Sequence, residues 1–154
     1  MKRVLVKSVY DAFDYVMEHY YPFGLEEFAQ RTDRYAVISI QDAHTQGFGF
    51  QFVKNRTCVD VLTLYIDDVE NDVEGAQLFS EDQAKEIIGF IQKNKEVETL
   101  LIHCYAGESR SRAVGCFALE MLGGSSKNLF ETGNPNMRIY NTLKEVYAKN
   151  NTNK

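Results

Sequence analysis

Apolar residues follow two different spacings along this chain. Four short runs are rich in β-branched and aromatic residues, which is typical of strands; they are RVLVKS (3–8), YAVISI (35–40), CVDVLTLYI (58–66) and ETLLIHC (98–104). Four other segments repeat apolar residues every three or four positions, which predicts helices; they are 8–17, 80–94, 111–122 and 134–149. The segment 41–57 has neither spacing and is expected to form a loop or a hairpin.

Local signals place the ends and the buried faces of these helices. Ser80 followed by Gln83 predicts a capping box at the start of the second helix. Gly123 and Gly124 predict the end of the third, and Pro135 is expected at the first position of the last. The apolar faces of the first two helices are expected at Val9, Phe13, Val16 and Met17 and at Ala84, Ile87, Ile88 and Ile91.

Strands that alternate with helices predict an α/β fold with a mainly parallel central sheet flanked by helices. A chain of 154 residues is long enough for one hydrophobic core, so we expect a single domain over 1–150 and a disordered polar tail over 151–154. In such sheets ligands bind beyond the carboxyl ends of the strands. That edge is therefore where the sequence predicts a site.

Charge and cysteine content narrow the classes of function. A net charge of −5 argues against nucleic acid or an anionic membrane as a partner, because both need a basic face. No apolar run approaches the ~20 residues of a membrane span, the start lacks a signal-peptide core, and three cysteines favour the reducing cytoplasm. Cys58 and Cys116 are expected in the core, although a Cys58–Cys104 disulfide is conceivable. His19 and His44 show no metal-ligand spacing with Cys104, so we expect neither a metal nor a cofactor.

The segment LIHCYAGESRSRAVG (101–115) places a thiol where a strand meets a helix. Cys104 ends the strand and Arg110 begins the helix, while Ala106 and Gly107 let the backbone between them curl. Backbone N–H groups of such a loop converge on an anion at a helix N-terminus, and the guanidinium of Arg110 fits two phosphate oxygens. The same field favours the thiolate over the thiol. This arrangement predicts nucleophilic attack of Cys104 on a bound phosphoryl group.

The stretch HCYAGESRS resembles the signature loop of the cysteine-dependent protein phosphatases, especially the small dual-specificity phosphatases. Their pattern is His-Cys, two residues, Gly, two residues, Arg, then Ser or Thr, and it is matched here by His103, Cys104, Gly107, Arg110 and Ser111. The resemblance extends more loosely over 35–147, including the helix start PNMRIYNTL, where Thr142 stands in place of a frequent Gln.

The resemblance implies a phosphocysteine intermediate on Cys104, with Ser111 stabilising the thiolate as it leaves and His103 orienting the loop. It implies that the phosphoryl oxygens are held by the loop residues Tyr105, Ala106, Gly107, Glu108, Ser109 and Arg110. It also implies an upstream aspartate as general acid. The candidates are Asp67, Asp68 and Asp72; the end of the apolar strand favours Asp68, while Asp72 has a family-like distance from Cys104 in the sequence.

The expected partner is a phosphorylated protein or another phosphomonoester, and phosphate or sulfate is expected to occupy the loop. Two alternatives stay open: a module that binds phosphorylated ligands without turnover, and a phosphatase of small molecules or RNA 5′-phosphates. Glu108 is expected to point outward at the rim, and the absence of lysine from the loop argues against inositol lipids.

Overall fold

The computed structural model describes residues 1–21, 32–45, 47 and 51–152, and within them the chain forms an α/β fold. The strands are β1 (Arg3–Ser8), β2 (Tyr35–Gln41), β3 (Cys58–Tyr65) and β4 (Thr99–Cys104). The helices are α1 (Val9–Tyr20), α2 (Glu81–Lys93), α3 (Arg110–Met121), α4 (Lys127–Glu131) and α5 (Met137–Thr152). The predicted strands and long helices are all present, and the short α4 lies in a segment where none was predicted.

The sheet has the strand order β1-β4-β2-β3, and each neighbouring pair is parallel. The predicted parallel sheet is therefore confirmed. Ser8 pairs with Cys104 and Ser39 pairs with His103, so the carboxyl ends of β1, β4 and β2 meet at one edge. Because β4 lies between β1 and β2, its last residue lies inside this edge rather than at its border.

Helices cover both faces of the sheet. The larger core cluster packs side chains of α2, α3 and α5 against one face and includes Cys104, whereas the smaller cluster packs α1 against the other face and includes Cys58. Cys58, Cys104 and Cys116 are all buried and free. The conceivable Cys58–Cys104 disulfide is therefore wrong for this structure, since the two thiols belong to clusters on opposite faces.

Most helix-end predictions hold. The Ser80–Gln83 capping box is present, and Gly123 has a φ of +84° just past α3. The position of Pro135 was wrong: α5 begins at Met137, and Asn136 caps it by accepting the N–H of Ile139. Phe13 was also misplaced on the apolar face, since it is 46% exposed; the buried residues of α1 are Val9, Ala12, Val16 and Tyr20.

The segment 41–57 contains no strand beyond Gln41 among its described residues, and residues 46 and 48–50 lie outside them. At the other end, α5 continues to Thr152, two residues into the expected tail, and 153–154 lie outside the described residues. Among the described residues, no helix is both long enough and apolar enough to cross a membrane.

Candidate active site

The loop from Cys104 to Arg110, called here the Cys–Arg loop, is shaped by one glycine. Gly107 has a φ of +74°, a conformation that residues with a Cβ rarely adopt. A Cβ at this position would lie 2.7 Å from the carbonyl carbon of Lys7 and 2.7 Å from the nitrogen of Ser8. The loop can therefore pack directly on the junction of β1 and α1 only because residue 107 has no side chain.

The carbonyl groups of the Cys–Arg loop are bound by neighbouring elements. Those of Tyr105, Glu108 and Ser109 accept the N–H groups of Val9, Asn134 and Asn136, respectively. Across a trans peptide the C=O of one residue and the N–H of the next point in opposite directions. The N–H groups of residues 106, 109 and 110 are thus directed away from those neighbours. This leaves them open to an acceptor, as an anion-binding nest requires.

The thiol of Cys104 is buried at the base of this loop and is 2% exposed. Its Sγ accepts the N–H of Gly107 at 3.3 Å and lies 3.1 Å from the Oγ of Ser111. The thiol also lies near the N-terminus of α3, which begins at Arg110. Cys104 therefore contacts polar groups of the loop, although it also belongs to the larger core cluster.

His103 is fully buried beneath the loop, and its ring nitrogens bind the start of the loop and the neighbouring strand β2. Because a carbonyl only accepts, Nδ1 donates to the carbonyl of Cys104 at 3.2 Å, and Nε2 of the neutral ring accepts the hydroxyl of Ser39 at 2.7 Å. The Oγ of Ser39 in turn accepts a bond from Gln41. Burial, together with the charge of Arg110, lowers the pKa of His103 to about 4. His103 is therefore neutral at physiological pH, and it orients the strand end without contributing a positive charge.

Arg110 is buried and faces the same edge of the sheet. Its Nη1 donates to Oδ1 of Asp42 at 2.6 Å and to the carbonyl of Ile66 at 2.8 Å. Its Nε is buried too, and within the described part of the chain it has no hydrogen-bond partner. A buried N–H without a partner costs about 1–3 kcal/mol, so it marks a place where an acceptor from outside the chain fits. Nε and Nη2 form the edge of a guanidinium that binds two phosphate oxygens.

Asp68 contacts the Cys–Arg loop directly. Its Oδ1 accepts the hydroxyl of Ser109 at 2.8 Å and Nδ2 of Asn136 at 2.9 Å. Asn136 also donates to the carbonyl of Val69, and its own N–H binds the carbonyl of Ser109. The structure thus brings the favoured acid candidate to the rim of the loop, where its exposed carboxyl group can meet a leaving group.

The other two candidates lie in different surroundings. Asp67 is buried and accepts hydrogen bonds from Nδ1 of His44 at 2.6 Å and from the N–H of Gln77 at 2.8 Å. Despite its burial, these bonds lower the pKa of Asp67 to about 2, so it is ionised and bound on both oxygens. Asp72 is exposed in the loop between β3 and α2.

Tyr105, Ala106 and Glu108 are exposed on the Cys–Arg loop, while Gly107 is buried in it. The exposure of Glu108 agrees with the outward orientation expected from its charge. Tyr105 is 51% exposed and meets the ring of Tyr10 edge-on, with 6.3 Å between the centroids. One side of the loop is therefore bordered by two exposed aromatic rings.

Solved structures superpose on this chain over most of its length. No protein-family model matches the sequence, and no curated protein matches it significantly. Among solved structures, human DUSP28 superposes with a TM-score of 0.58 at 13% identity, covering 100% of this chain and 97% of the other. DUSP15 gives 0.55 at 17% identity, covering 94% and 83%, and PTPMT1 in complex with PI(5)P gives 0.51 at 14% identity, covering 97% and 95%. The chain has the dual-specificity phosphatase fold.

Four residues that bind the predicted site residues were missed by the sequence analysis. They are Ser39, which binds His103; Asp42, which binds Arg110; His44, which binds Asp67; and Asn136, which binds Asp68. The sequence did contain a signal for the contact between Asp42 and Arg110. Asp42 follows β2 and the Cys–Arg loop follows β4, and the carboxyl ends of these parallel strands lie at the same edge of the sheet. The partner of Asn136 depends on the path of a loop, which no spacing in the sequence indicates.

Proposed function

We propose that this chain hydrolyses phosphomonoesters through a phosphocysteine intermediate on Cys104. The observation that carries the proposal is the buried, unpartnered Nε of Arg110 at the end of the loop that holds a buried thiol. An anion with several oxygens would satisfy Nε and the inward N–H groups together, and it would lie against the sulfur. The dual-specificity phosphatase fold, shared with DUSP28 and DUSP15, supports the same reaction class.

The proposed first step transfers the phosphoryl group to sulfur. The thiolate of Cys104 attacks phosphorus, the bond to the ester oxygen breaks, and Asp68 gives that oxygen its proton. In the second step water attacks phosphorus, its proton passes to the Asp68 carboxylate, and the S–P bond breaks to release phosphate. Ser111, whose Oγ lies 3.1 Å from Sγ, would stabilise the departing thiolate. Arg110 and the loop amides hold the equatorial oxygens, on which the charge of the transition state lies.

The proposed substrates are phosphoproteins, with phosphotyrosine favoured by the aromatic rim. Tyr10 and Tyr105 offer apolar edges to an aryl group beside the loop. PTPMT1 was crystallised with PI(5)P, but Glu108 is exposed in this loop and the segment 105–109 contains no lysine, which disfavours substrates with further phosphates. The acidic chain likewise disfavours RNA 5′-phosphates.

Hydrolysis of an aryl phosphate by the wild type, Cys104→Ser, Asp68→Asn and Asp72→Asn tests the proposal. We expect Cys104→Ser to abolish turnover and Asp68→Asn to lower kcat about 10²–10⁴-fold, the usual contribution of a general acid. Asp72→Asn is the matched control and should retain activity. Full activity of Cys104→Ser would exclude the covalent mechanism. A wild type that binds phosphate without turnover would instead establish a binding module.

A further inference from the structure

Beside the Cys–Arg loop lies an open cavity of about 360 Å³ that contains a histidine–aspartate pair. It is lined by Asp42, His44, Asp67 and Asp68 among others, so it borders both the partner of Arg110 and the partner of Ser109. His44 and Asp67 have no role in the two steps proposed above. Their hydrogen bonds nevertheless converge on the loop that carries Asp68.

Asp67 closes the base of the 67–77 loop. Its backbone N–H donates to the carbonyl of Gln77, and its Oδ2 accepts the N–H of Gln77. The two ends of the loop are therefore joined through one residue. Asp68, the next residue, extends from this base and reaches Ser109 of the Cys–Arg loop.

His44 anchors Asp67 to the end of β2. Its backbone N–H and its Nδ1 both donate to Oδ1 of Asp67, at 3.2 and 2.6 Å. Because an ionised carboxylate only accepts hydrogen bonds, Nδ1 must carry the proton. The side chain of His44 is 63% exposed while that of Asp67 is 7% exposed, so a solvent-accessible imidazole supplies the partner of a buried carboxylate.

We propose that His44 and Asp67 are positioning residues: together they clamp the base of the 67–77 loop and thereby hold Asp68 over the Cys–Arg loop. This inference rests on the proposed function, in which Asp68 is the general acid. A general acid must lie within hydrogen-bonding distance of the oxygen it protonates, and a displacement of about 1 Å can cost on the order of 10²-fold in rate. Asp68 itself is held by its bonds to Ser109 and Asn136, and Asn136 also binds the carbonyl of Val69, so the base of the loop and its tip are fixed by separate contacts.

The clamp also responds to pH. The hydrogen bond to Asp67 raises the pKa of His44, with smaller contributions of the same sign from the charges of Asp67 and Asp42, while burial and Arg110 lower it. Asp68 and Glu74 line the same cavity. The imidazolium form, which binds the carboxylate most strongly, is present below this raised pKa and is lost as the pH rises through it.

Two substitutions of His44 distinguish its hydrogen bond to Asp67 from any other role of the imidazole. Asparagine places an N–H close to the position of Nδ1 and has no counterpart of Nε2, so His44→Asn keeps the side-chain bond to Asp67, whereas His44→Ala removes it and leaves the weaker backbone bond. His19→Ala is the matched control, because His19 also pairs with an aspartate, Asp33, at 3.0 Å, but at the end of α1. The readouts are kcat for aryl phosphates with good and poor leaving groups, and amide hydrogen exchange of residues 66–78.

We expect His44→Ala to lower kcat for the poor leaving group on the order of 10²-fold, to affect the good leaving group less, and to increase exchange over 66–78. His44→Asn and His19→Ala should resemble the wild type, although His44→Asn should lose the decline in kcat that follows deprotonation of His44. Wild-type kcat and exchange in His44→Ala, or equal defects in His44→Ala and His44→Asn, would overturn the proposal. If the wild type hydrolyses no aryl phosphate, the proposed function fails, and hydrogen exchange alone decides whether the clamp exists.

Discussion

Arg110 and Asp42 form an ion pair in which Nη1 and Oδ1 are 2.6 Å apart and both side chains are largely buried. Asp42 immediately follows β2 and Arg110 is the first residue of α3, so the pair joins two elements at the carboxyl edge of the sheet. It fixes the guanidinium by one nitrogen and leaves Nε without a partner in the described chain. Asp42 thus orients the guanidinium of Arg110.

Removing the carboxylate of Asp42 should affect stability and catalysis together. Loss of one partner of a buried ion pair costs about 3–5 kcal/mol, and we expect Asp42→Ala to lose a substantial part of that because Arg110 stays buried. Its kcat/KM should fall as the guanidinium loses its fixed orientation, whereas Asp42→Asn should lose less because it retains an acceptor.

Urea unfolding with and without inorganic phosphate measures this effect. Phosphate supplies the missing countercharge, so it should stabilise Asp42→Ala more than the wild type. Equal stabilisation of the two proteins would show that phosphate does not bind beside Arg110.

The leaving group distinguishes a general acid from a structural carboxylate. If Asp68 protonates the departing oxygen, Asp68→Asn should slow hydrolysis of a phosphate ester with a poor leaving group far more than one with a good leaving group, because a good leaving group departs as an anion. Kinetics over a series of substituted phenyl phosphates measure this difference. If the rate of Asp72→Asn depends on the leaving group more strongly than that of Asp68→Asn, the acid is Asp72.

Burial of neutral His103 should make stability depend on pH in a defined range. The pKa of His103 is about 4 in the fold against the ordinary 6.5. The unfolded chain therefore binds a proton that the fold excludes, and the free energy of unfolding falls as pH drops from about 6.5 to about 4. The loss due to His103 is on the order of 3 kcal/mol.

The variant His103→Gln should lack this part of the pH dependence, because glutamine takes up no proton in this range. Urea unfolding of both proteins at several pH values isolates the contribution of His103 from those of the carboxylates. If the free energy of unfolding changes with pH in the same way in both proteins, His103 takes up a proton as readily in the folded chain as in the unfolded one.

Gly107→Ala tests how tightly the Cys–Arg loop packs. The added Cβ would lie 2.7 Å from two backbone atoms of the β1–α1 junction and would require a left-handed conformation, which alone costs about 1–2 kcal/mol. We expect loss of stability and of activity. Gly75→Ala is a suitable control, because Gly75 has a similar φ of +81° but no atom within 4 Å of the added Cβ. Similar activity losses in both variants would attribute the effect to backbone strain rather than to the packing of the loop.

Local signals in the sequence were enough to predict the sheet, most of the helix starts and the position of the Cys–Arg loop. The bounds of β1 and the Ser80 capping box depend on residues close in sequence, and both matched. Phe13 was misassigned because its spacing fits the buried face of α1, yet Ala12, a small residue with little apolar signal, occupies that face. Pro135 was misplaced by two positions, since Asn136 caps the helix and Met137 is its first residue.

The site was predictable where it lies within one segment and not where it is assembled from several. Cys104, Gly107, Arg110 and Ser111 fall within eight residues of sequence, so their pattern could be recognised. The pairs Arg110–Asp42 and Asp67–His44 join residues 68 and 23 positions apart, and they depend on strand order. The spacing of residues along the sequence does not show which carboxylate lies near the thiol of Cys104 in the folded chain.

The phosphocysteine itself is the most direct test of the proposed mechanism. In the proposed mechanism Ser111, whose Oγ contacts Sγ of Cys104, stabilises the thiolate that leaves in the second step, so Ser111→Ala should slow that step and let the intermediate accumulate. The measurement is acid quenching of Ser111→Ala during turnover of a phosphate-labelled aryl ester, followed by peptide mapping. We expect the label on the peptide that contains Cys104. Turnover without label on Cys104, or with label on another residue, would contradict the mechanism.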